Sequence, residues 1–154
     1  MSKGEKLICD NRAARHSYDI LESLEVGIVL EGAEVKSLRA GNANLKDSYA
    51  AVTKEGEIFI RNFHISPYEK AGAYVPDSRR PRKLLLHKRE ITRLGAKVRE
   101  KGLTLIPLKA YLKDGRVKLE LGLAKGKNVH GKRETLKERD IKKDVARELK
   151  NLRR

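Results

Sequence analysis

The chain has 154 residues and contains no tryptophan, one cysteine and two phenylalanines. Since Cys9 is the only cysteine, no disulfide can form within the chain. One cysteine with four scattered histidines does not match the ligand spacing of a structural zinc site, so no metal is expected. The sequence has no apolar signal segment and no run of about 18 apolar residues, so we expect a cytoplasmic protein without a membrane contact.

Acidic residues are also few beside the basic ones. There are 36 Lys and Arg against 21 Asp and Glu, which gives a net charge of +15. Folding does not require this excess, because self-repulsion opposes compaction. The excess therefore indicates a polyanionic partner, with nucleic acid as the leading candidate. A membrane surface fits less well, because aromatic anchors are scarce.

The charge is distributed unevenly along the chain. Residues 125–154 carry 12 Lys and Arg against 5 Asp and Glu, and they include no aromatic residue. We therefore predict two parts, an RNA-binding domain over residues 1–124 and a basic C-terminal arm over residues 125–154. We also expect a monomer.

The first half of the body predicts strands and two short helices. Residues 11–17 suit a helix capped by Asn11. Apolar residues at even positions from Tyr18 to Leu30 predict one long half-buried strand, in which Glu22 marks a bulge. A helix over Glu34–Arg39 should end at Gly41. Strands over residues 48–54 and 57–64 should form a hairpin, followed by an exposed loop over 66–83 that ends in a basic run around a proline.

The second half of the body predicts one longer helix and another hairpin. The helix should cover residues 87–101 and end at Gly102. Strands over residues 103–112 and 116–123 are joined by a good hairpin turn, and Pro107 predicts an edge or a bulge. Five or six strands with a few flanking helices predict a mainly β fold, a small barrel of the oligonucleotide-binding type. Such barrels commonly bind single strands and irregular RNA.

The basic arm has only a thin apolar stripe at helical spacing. Thr135 and Glu138 have the spacing of a capping box, and the stripe contains Ile141, Val145, Leu149 and Leu152. So few apolar residues cannot order about twenty others. We predict an arm that is disordered or marginally helical alone and that orders on RNA, with a helix packed on the body as the alternative.

The sequence contains no specific catalytic pattern. Ser17 beside His16 is not a triad, because a triad depends on geometry supplied by the fold. Asp10, Glu25 and Glu34 include the carboxylates that a nuclease metal site needs, but they have no distinctive spacing. We therefore expect a binding protein that is not an enzyme and that has no cofactor, with Arg79–Arg89 as the best basic patch of the body.

Several stretches in order along the chain carry a family resemblance. They are Asn11–His16, Gly27–Gly41, Asp47–Tyr49, His64–Tyr68, Arg82–Glu90, Gly102–Lys109 and Leu121–Lys127. In these stretches the sequence resembles the SmpB family, the SsrA-binding proteins that partner tmRNA. The resemblance implies a barrel that binds the tRNA-like domain of tmRNA and delivers this RNA to stalled ribosomes in trans-translation.

The resemblance also implies a role for individual residues. The tmRNA-binding positions that it implies, with their basic neighbours, are Glu25, Lys36, Arg39, Arg82, Lys83, Leu85, His87 and Lys118. The arm is expected to enter the vacant small-subunit decoding site and the mRNA channel as a helix. The ribosome-binding positions of the arm are Lys125, Lys127, His130, Lys132 and Arg133. The family usually has an acidic residue where this chain has Gly131, which leaves the contact of that carboxylate open.

Two other functions compete with the one that the resemblance implies. A ribosomal or assembly protein with a basic tail would have the same charge distribution, and it would co-sediment with every ribosome in stoichiometric amount. A metal-dependent nuclease would cleave RNA in the presence of magnesium.

Overall fold

The computed structural model describes residues 4–68 and 77–127. In this part of the chain three helices and nine strands follow one another, and more residues are in strands than in helices. The elements are β1 (Glu5–Asp10), α1 (Arg12–Ser17), β2 (Tyr18–Ile28), α2 (Gly32–Arg39), β3 (Ala43–Asn44), β4 (Tyr49–Val52), β5 (Ile58–Arg61), β6 (His64–Ile65), β7 (Arg82–Leu85), α3 (Lys88–Lys101), β8 (Thr104–Lys113) and β9 (Arg116–Gly126).

Seven strands form one antiparallel sheet that closes on itself. Their order is β1-β8-β4-β5-β7-β2-β9, and β9 pairs in turn with β8. One edge of β8 therefore pairs with β9, while its other edge pairs with β4 near Leu105 and with β1 from Lys109 onward. The ring of strands confirms the predicted mainly β barrel. Strands β3 and β6 form a separate two-stranded sheet.

The interior of the barrel is the main hydrophobic core. Its members are enclosed aliphatic and aromatic side chains from every wall, among them Val26, Leu38, Ile58, Ile60, Phe63, Leu84, Leu94, Leu119 and Leu121. Helix α3 packs on the core through Ile91 and Leu94. A residue of this kind contributes roughly 1.5–3 kcal/mol when it is fully buried, so the barrel holds most of the folding free energy.

Bulges in β2 and β8 divide the long strands between two cores. The register of β2 against β9 shifts between Ile20 and Glu22, which confirms the predicted bulge. Its consequence was not predicted, because the shift turns Tyr18 and Ile20 to the opposite face from Leu24 and Val26. There they pack under α1 in a small second core with Ala14, Ile106 and Ala124. The shift in β8 between Pro107 and Lys109 is the second bulge.

The three helices predicted for the body are confirmed, although α2 starts at Gly32, two residues before its predicted start at Glu34. The Asn11 side chain accepts a hydrogen bond from the Ala14 N–H at 3.2 Å and donates one to the Pro107 carbonyl at 2.8 Å. It thus caps α1 and also fastens that helix to β8. Gly102 ends α3 with φ of 63°, a left-handed conformation that glycine adopts without steric cost.

Three predictions about the strands need correction. Strands β1 and β3 were not predicted at all. The expected strand over residues 57–64 is two strands, β5 and β6, because Asn62 takes a φ of 61° and breaks the extended chain between them. The predicted loop over 66–83 ends too late, since β7 starts at Arg82 and pairs with β5 and β2 inside the sheet.

Strand β9 continues to Gly126, two residues past the predicted end of the body. The arm beyond Lys127 lies outside the described residues, so its predicted conformation stays a prediction. In the described part of the chain, no helix is long and apolar enough to cross a membrane.

Candidate nucleic-acid interface

One row of side chains crosses five neighbouring strands on the outer face of the barrel. Leu85 on β7 pairs with Gly27 on β2, which pairs with Lys118 on β9. Lys118 pairs with Tyr111 on β8, and Tyr111 pairs with Leu7 on β1. These five residues are named the Gly27 row. At about 4.8 Å between strands, the row spans roughly 19 Å.

The row faces outward because its neighbours along the strands face the core. Leu84 and Leu119 are buried, and successive side chains on a strand point to opposite faces. At the ends of the row Leu85 is 51% exposed and Leu7 is 44% exposed, whereas Tyr111 between them is 5% exposed. Exposed leucines that stand singly are ordinary on a protein surface, so this face becomes a candidate for contact with a partner through its combination with the charged groups beside them.

Gly27 lets the Leu85 side chain lie close to the sheet. A Cβ atom at Gly27 would be 3.2 Å from the Cβ of Leu85 and 3.4 Å from its Cδ1. That separation is tighter than an ordinary carbon contact, so a larger residue would push Leu85 outward. The absence of a side chain at Gly27 therefore allows the Leu85 side chain to pack directly against the backbone of β2.

Glu25 lies two residues from Gly27 on the same face and is held in place by β8. Its Oε2 accepts a hydrogen bond from the Tyr111 hydroxyl at 2.6 Å and one from Lys113 Nζ at 3.3 Å. The hydrogen bond from Tyr111 is the main reason that the pKa of Glu25 lies below its usual value. The hydrogen bond from Lys113 and the positive charges of Lys113 and Lys118 lower this pKa further. Burial and the Glu25 carboxylate raise the pKa of Tyr111. The pair thus presents an ionised carboxylate in a fixed position.

A carboxylate accepts hydrogen bonds and cannot donate them. On a surface that binds RNA it can accept from base amino groups or from ribose 2′-hydroxyls, and it repels phosphates. Glu25 with Lys118 beside it therefore suits recognition of shape and of base edges more than general attraction to the RNA backbone.

Arg82 is the predicted site residue that the structure places elsewhere. We expected its side chain at the surface, but the residue is 1% exposed. Its guanidinium donates to the Glu34 carboxylate at 2.6 Å and to the Phe63 carbonyl at 2.6 Å. Because a strand alternates its faces, Arg82 points inward while Lys83 and Leu85 point outward. Arg82 can therefore position β7 but cannot touch RNA while the barrel is closed.

Two predicted site residues lie close to Leu85 in the chain, Lys83 on β7 and His87 just after this strand. Lys83 lies on the same outward face as Leu85, with its Nζ 2.8 Å from the Glu57 carboxylate. His87 is exposed and is the N-cap residue of α3, where its N–H donates to Glu90 at 3.2 Å. The structure thus brings Lys83 and His87 to the two sides of Leu85.

The predicted residues of α2 are split between two surroundings. Arg39 donates to the carbonyl of Gly115 at 3.4 Å, in the turn between β8 and β9. Lys36 lies with its Nζ 5.5 Å from the centre of the Tyr68 ring. Lys36 and Arg39 are both exposed. Of the two, Arg39 is hydrogen-bonded to the turn that joins β8 and β9, two strands that carry the Gly27 row.

The start of the arm lies at the other end of the barrel. Lys125 is exposed on β9, opposite Asp19. The Lys127 N–H donates to the Ser17 carbonyl at 3.1 Å, and its Nζ donates to the Arg15 carbonyl at 3.4 Å. The predicted arm residues His130, Lys132 and Arg133 lie outside the described residues.

Sequence reasoning missed three members of the surface. Gly27, Tyr111 and Leu7 were not singled out as site residues, because each has an ordinary place in a strand pattern. The pairing register alone makes them neighbours of Leu85 and Lys118. One signal was available for Gly27, since a glycine inside a strand often marks a close approach.

Comparison with known proteins gives a consistent result. The sequence model described as SmpB protein matches residues 8–151. An SsrA-binding protein of Desulforudis audaxviator is 56% identical over 143 residues, which cover 93% of each chain. An SsrA-binding protein of Syntrophomonas wolfei is 58% identical over 148 residues, which cover 96% of this chain and 94% of the relative.

A solved structure agrees with these relatives. It is described as "tmRNA-SmpB: a journey to the center of the bacterial ribosome", and one of its chains is 48% identical to this one. The two superpose with a TM-score of 0.68 over 86% of this chain and 92% of that chain.

Proposed function

Because the chain belongs to the SmpB protein family, we propose that it binds the tRNA-like domain of tmRNA and delivers this RNA to stalled ribosomes for trans-translation. The observation that carries the proposal is the combination of this family with the Gly27 row. An exposed leucine, a fixed carboxylate and lysines share one outward face, which offers apolar, hydrogen-bonding and cationic contacts to a folded RNA.

We assign the tmRNA contact to Glu25, Lys83, Leu85, His87 and Lys118. Leu85 offers apolar contact to unstacked bases, Glu25 accepts from base or sugar donors, and the lysines neutralise phosphates. Arg39 and Lys36 extend the basic surface along α2. The buried Arg82 supports the strand from which Lys83 and Leu85 project.

We assign the ribosome contact to the basic arm. Lys125 and Lys127 lie at the far end of β9 from the Gly27 row, so two RNAs can bind without sharing a surface. Residues 128–154, with His130, Lys132 and Arg133, then reach the decoding site and the mRNA channel. The protein acts in the cytoplasm as a binding protein without catalysis of its own.

A competition assay tests the first half of the proposal. The full chain should bind the tRNA-like domain of tmRNA at least about tenfold more tightly than a hairpin of equal length at physiological salt, because shape and base contacts add to charge. Equal affinity for the two RNAs would contradict the proposal, and magnesium-dependent cleavage of either RNA would favour a nuclease.

Truncation tests the division of labour. A chain ending at Lys127 keeps the closed barrel, so it should retain the affinity for the tRNA-like domain. It should lose peptide tagging on stalled ribosomes. Loss of tRNA-like domain binding on truncation would show that the arm, and not the barrel, holds tmRNA.

A further inference from the structure

A concave site lies at the end of the barrel away from the Gly27 row. It is a cavity of about 390 Å³, and its lining includes Ser17, Tyr18, Asp47, Tyr49, Asn62 and Thr104. Tyr18 and Gly27 both lie on β2, nine residues apart. At about 3.3 Å per residue, they are roughly 30 Å apart along the strand. The cavity is therefore a separate site from the proposed tmRNA surface.

The walls of the cavity combine two aromatic rings with polar groups. Tyr18 and Tyr49 are half-buried, and Ala14 and Ile106 add apolar surface between them. Asp47 and Asn62 are exposed lining residues, and their side chains form no hydrogen bond or ion pair within residues 4–68 and 77–127. Aromatic rings stack on nucleobases, while a carboxylate and an amide can read a base edge.

Both polar lining residues adopt an unusual backbone conformation. Asp47 has φ of 63° and Asn62 has φ of 61°. The third such residue among those described that is not glycine is Asp114, which lies in the β8–β9 turn. A positive φ carries a small free-energy cost for any residue with a Cβ, even for Asp and Asn. Side chains kept at this cost in one cavity suggest a use for their polar groups.

Several basic residues are next in sequence to residues that line the cavity. Arg12, Lys46 and Arg61 are exposed neighbours of lining residues, and within the described part of the chain none of them forms an ion pair. Lys127 is fastened to the carbonyls of Arg15 and Ser17. The basic arm therefore leaves the body beside the cavity, and the phosphates of a strand passing there would meet positive charge.

We infer that this cavity holds one unstacked nucleobase of the RNA strand that the basic arm follows. The base stacks on Tyr18 or Tyr49, its edge meets Asp47 and Asn62, and its flanking phosphates lie near Arg12, Lys46 and Arg61. This inference rests on the proposed function, because it takes its ligand from the RNA that the arm engages.

The two edge groups also set a preference among bases. The Asp47 carboxylate only accepts hydrogen bonds, so it favours a base with an exocyclic amino group. Cytosine has such a group. Uracil, which is the same size, has a carbonyl in its place, and its one donor on that edge, the N3–H, lies between two carbonyl oxygens that repel a carboxylate. A single-stranded oligocytidylate should therefore bind more tightly than an oligouridylate of equal length and charge.

The test uses the full chain and two fluorescein-labelled heptamers, oligo(C) and oligo(U), in anisotropy titrations. The native chain should prefer oligo(C) by about tenfold, on the order of one good base contact. Asp47→Gly and Asn62→Gly should reduce this preference to near one. Glycine accepts a positive φ, so these variants remove the edge groups without straining the backbone.

Asp114→Gly is the matched control, since it removes a carboxylate at a positive φ far from the cavity and should keep the full preference. Tyr49→Ala should weaken both heptamers by about tenfold, and Tyr49→Phe should not, because stacking needs the ring and not the hydroxyl. Equal affinity of the native chain for both heptamers would overturn the inference. So would a preference that survives both edge variants.

Binding of the tRNA-like domain separates the two proposals. All cavity variants should bind that domain as the native chain does. If the native chain shows the heptamer preference but does not select the tRNA-like domain, the proposed function fails and the cavity assignment stands. If it selects the tRNA-like domain and shows no heptamer preference, the cavity assignment fails alone.

Discussion

The guanidinium of Arg82 donates to the carboxylate of Glu34 at 2.6 Å, and both side chains are almost wholly enclosed. Arg80 donates to both oxygens of the same carboxylate, at 3.1 Å and 2.5 Å. Burial alone would raise the pKa of Glu34, but hydrogen bonds from Arg80, the Glu31 backbone and Arg82 outweigh it and lower the pKa. This pair fastens β7, which carries Lys83 and Leu85, to α2.

We expect Glu34→Gln to destabilise the fold. It leaves the Arg82 cation buried without its partner, which costs about 3–5 kcal/mol of unfolding free energy. Urea unfolding at neutral pH measures this loss. In the native chain the lowered pKa of Glu34 gives stability that is present above its unfolded pKa of 4.5 and lost as pH falls below it. The variant should lack that part of the acid dependence.

Glu57→Gln is the control for the buried pair. The Glu57 carboxylate is 2.8 Å from Lys83, with side chains 43% and 44% exposed. Exposed pairs of this kind contribute about 0–1 kcal/mol, so the unfolding free energy should hardly change. A loss at Glu34→Gln no larger than at Glu57→Gln would show that the buried pair does not stabilise β7.

Leu85 and Lys118 should weaken tmRNA binding in different ways. Leu85→Ala removes apolar contact and should lower affinity by about tenfold without changing the slope of log affinity against log salt. Lys118→Ala removes one phosphate contact and should reduce that slope by about 0.7–0.9. Titrations at several salt concentrations distinguish them, and equal slopes for both variants would contradict the assignment of roles.

Tyr111 should act on tmRNA through Glu25. Tyr111→Phe keeps the ring but removes the 2.6 Å hydrogen bond, so the carboxylate loses its fixed position. We expect a loss of tmRNA affinity of about threefold to tenfold, the size of one ordinary intramolecular hydrogen bond, because Tyr111 acts on the RNA only through the position of the carboxylate. In the Glu25→Ala background the same change should have little effect. Additive losses in the double variant would mean that Tyr111 contributes independently of Glu25.

Cys9 should be a slow thiol in the folded protein. Burial, with a smaller contribution from Asp10, raises the pKa of its thiol to about 11 from 9.0. Since only the thiolate reacts, alkylation at pH 8 should be about 100-fold slower than in denaturant. The chain has one cysteine, so a single rate reports it. Equal rates in the folded and unfolded chain would show that the β1 edge opens freely.

The sequence predicted the elements whose signals are local. The caps at Asn11 and Gly102, the alternation in β2, the bulge at Glu22 and the turn before β9 depend on neighbours a few residues away. Short-range chemistry of this kind can be read from one chain. The family resemblance added the partner, because the residues that carry it span nearly the whole sequence.

Only the tertiary structure decided which residues share a surface. Arg82 and Lys83 are adjacent and equally basic in sequence, yet pairing of β7 with both β5 and β2 buries one and exposes the other. The bulge in β2 likewise turned Tyr18 and Ile20 to a second core, where a cavity forms beside the start of the arm. The excess of basic residues in the sequence was enough to predict that the ligand is a nucleic acid. Strand register and inside–outside alternation, which depend on contacts distant in sequence, chose the residues that meet it.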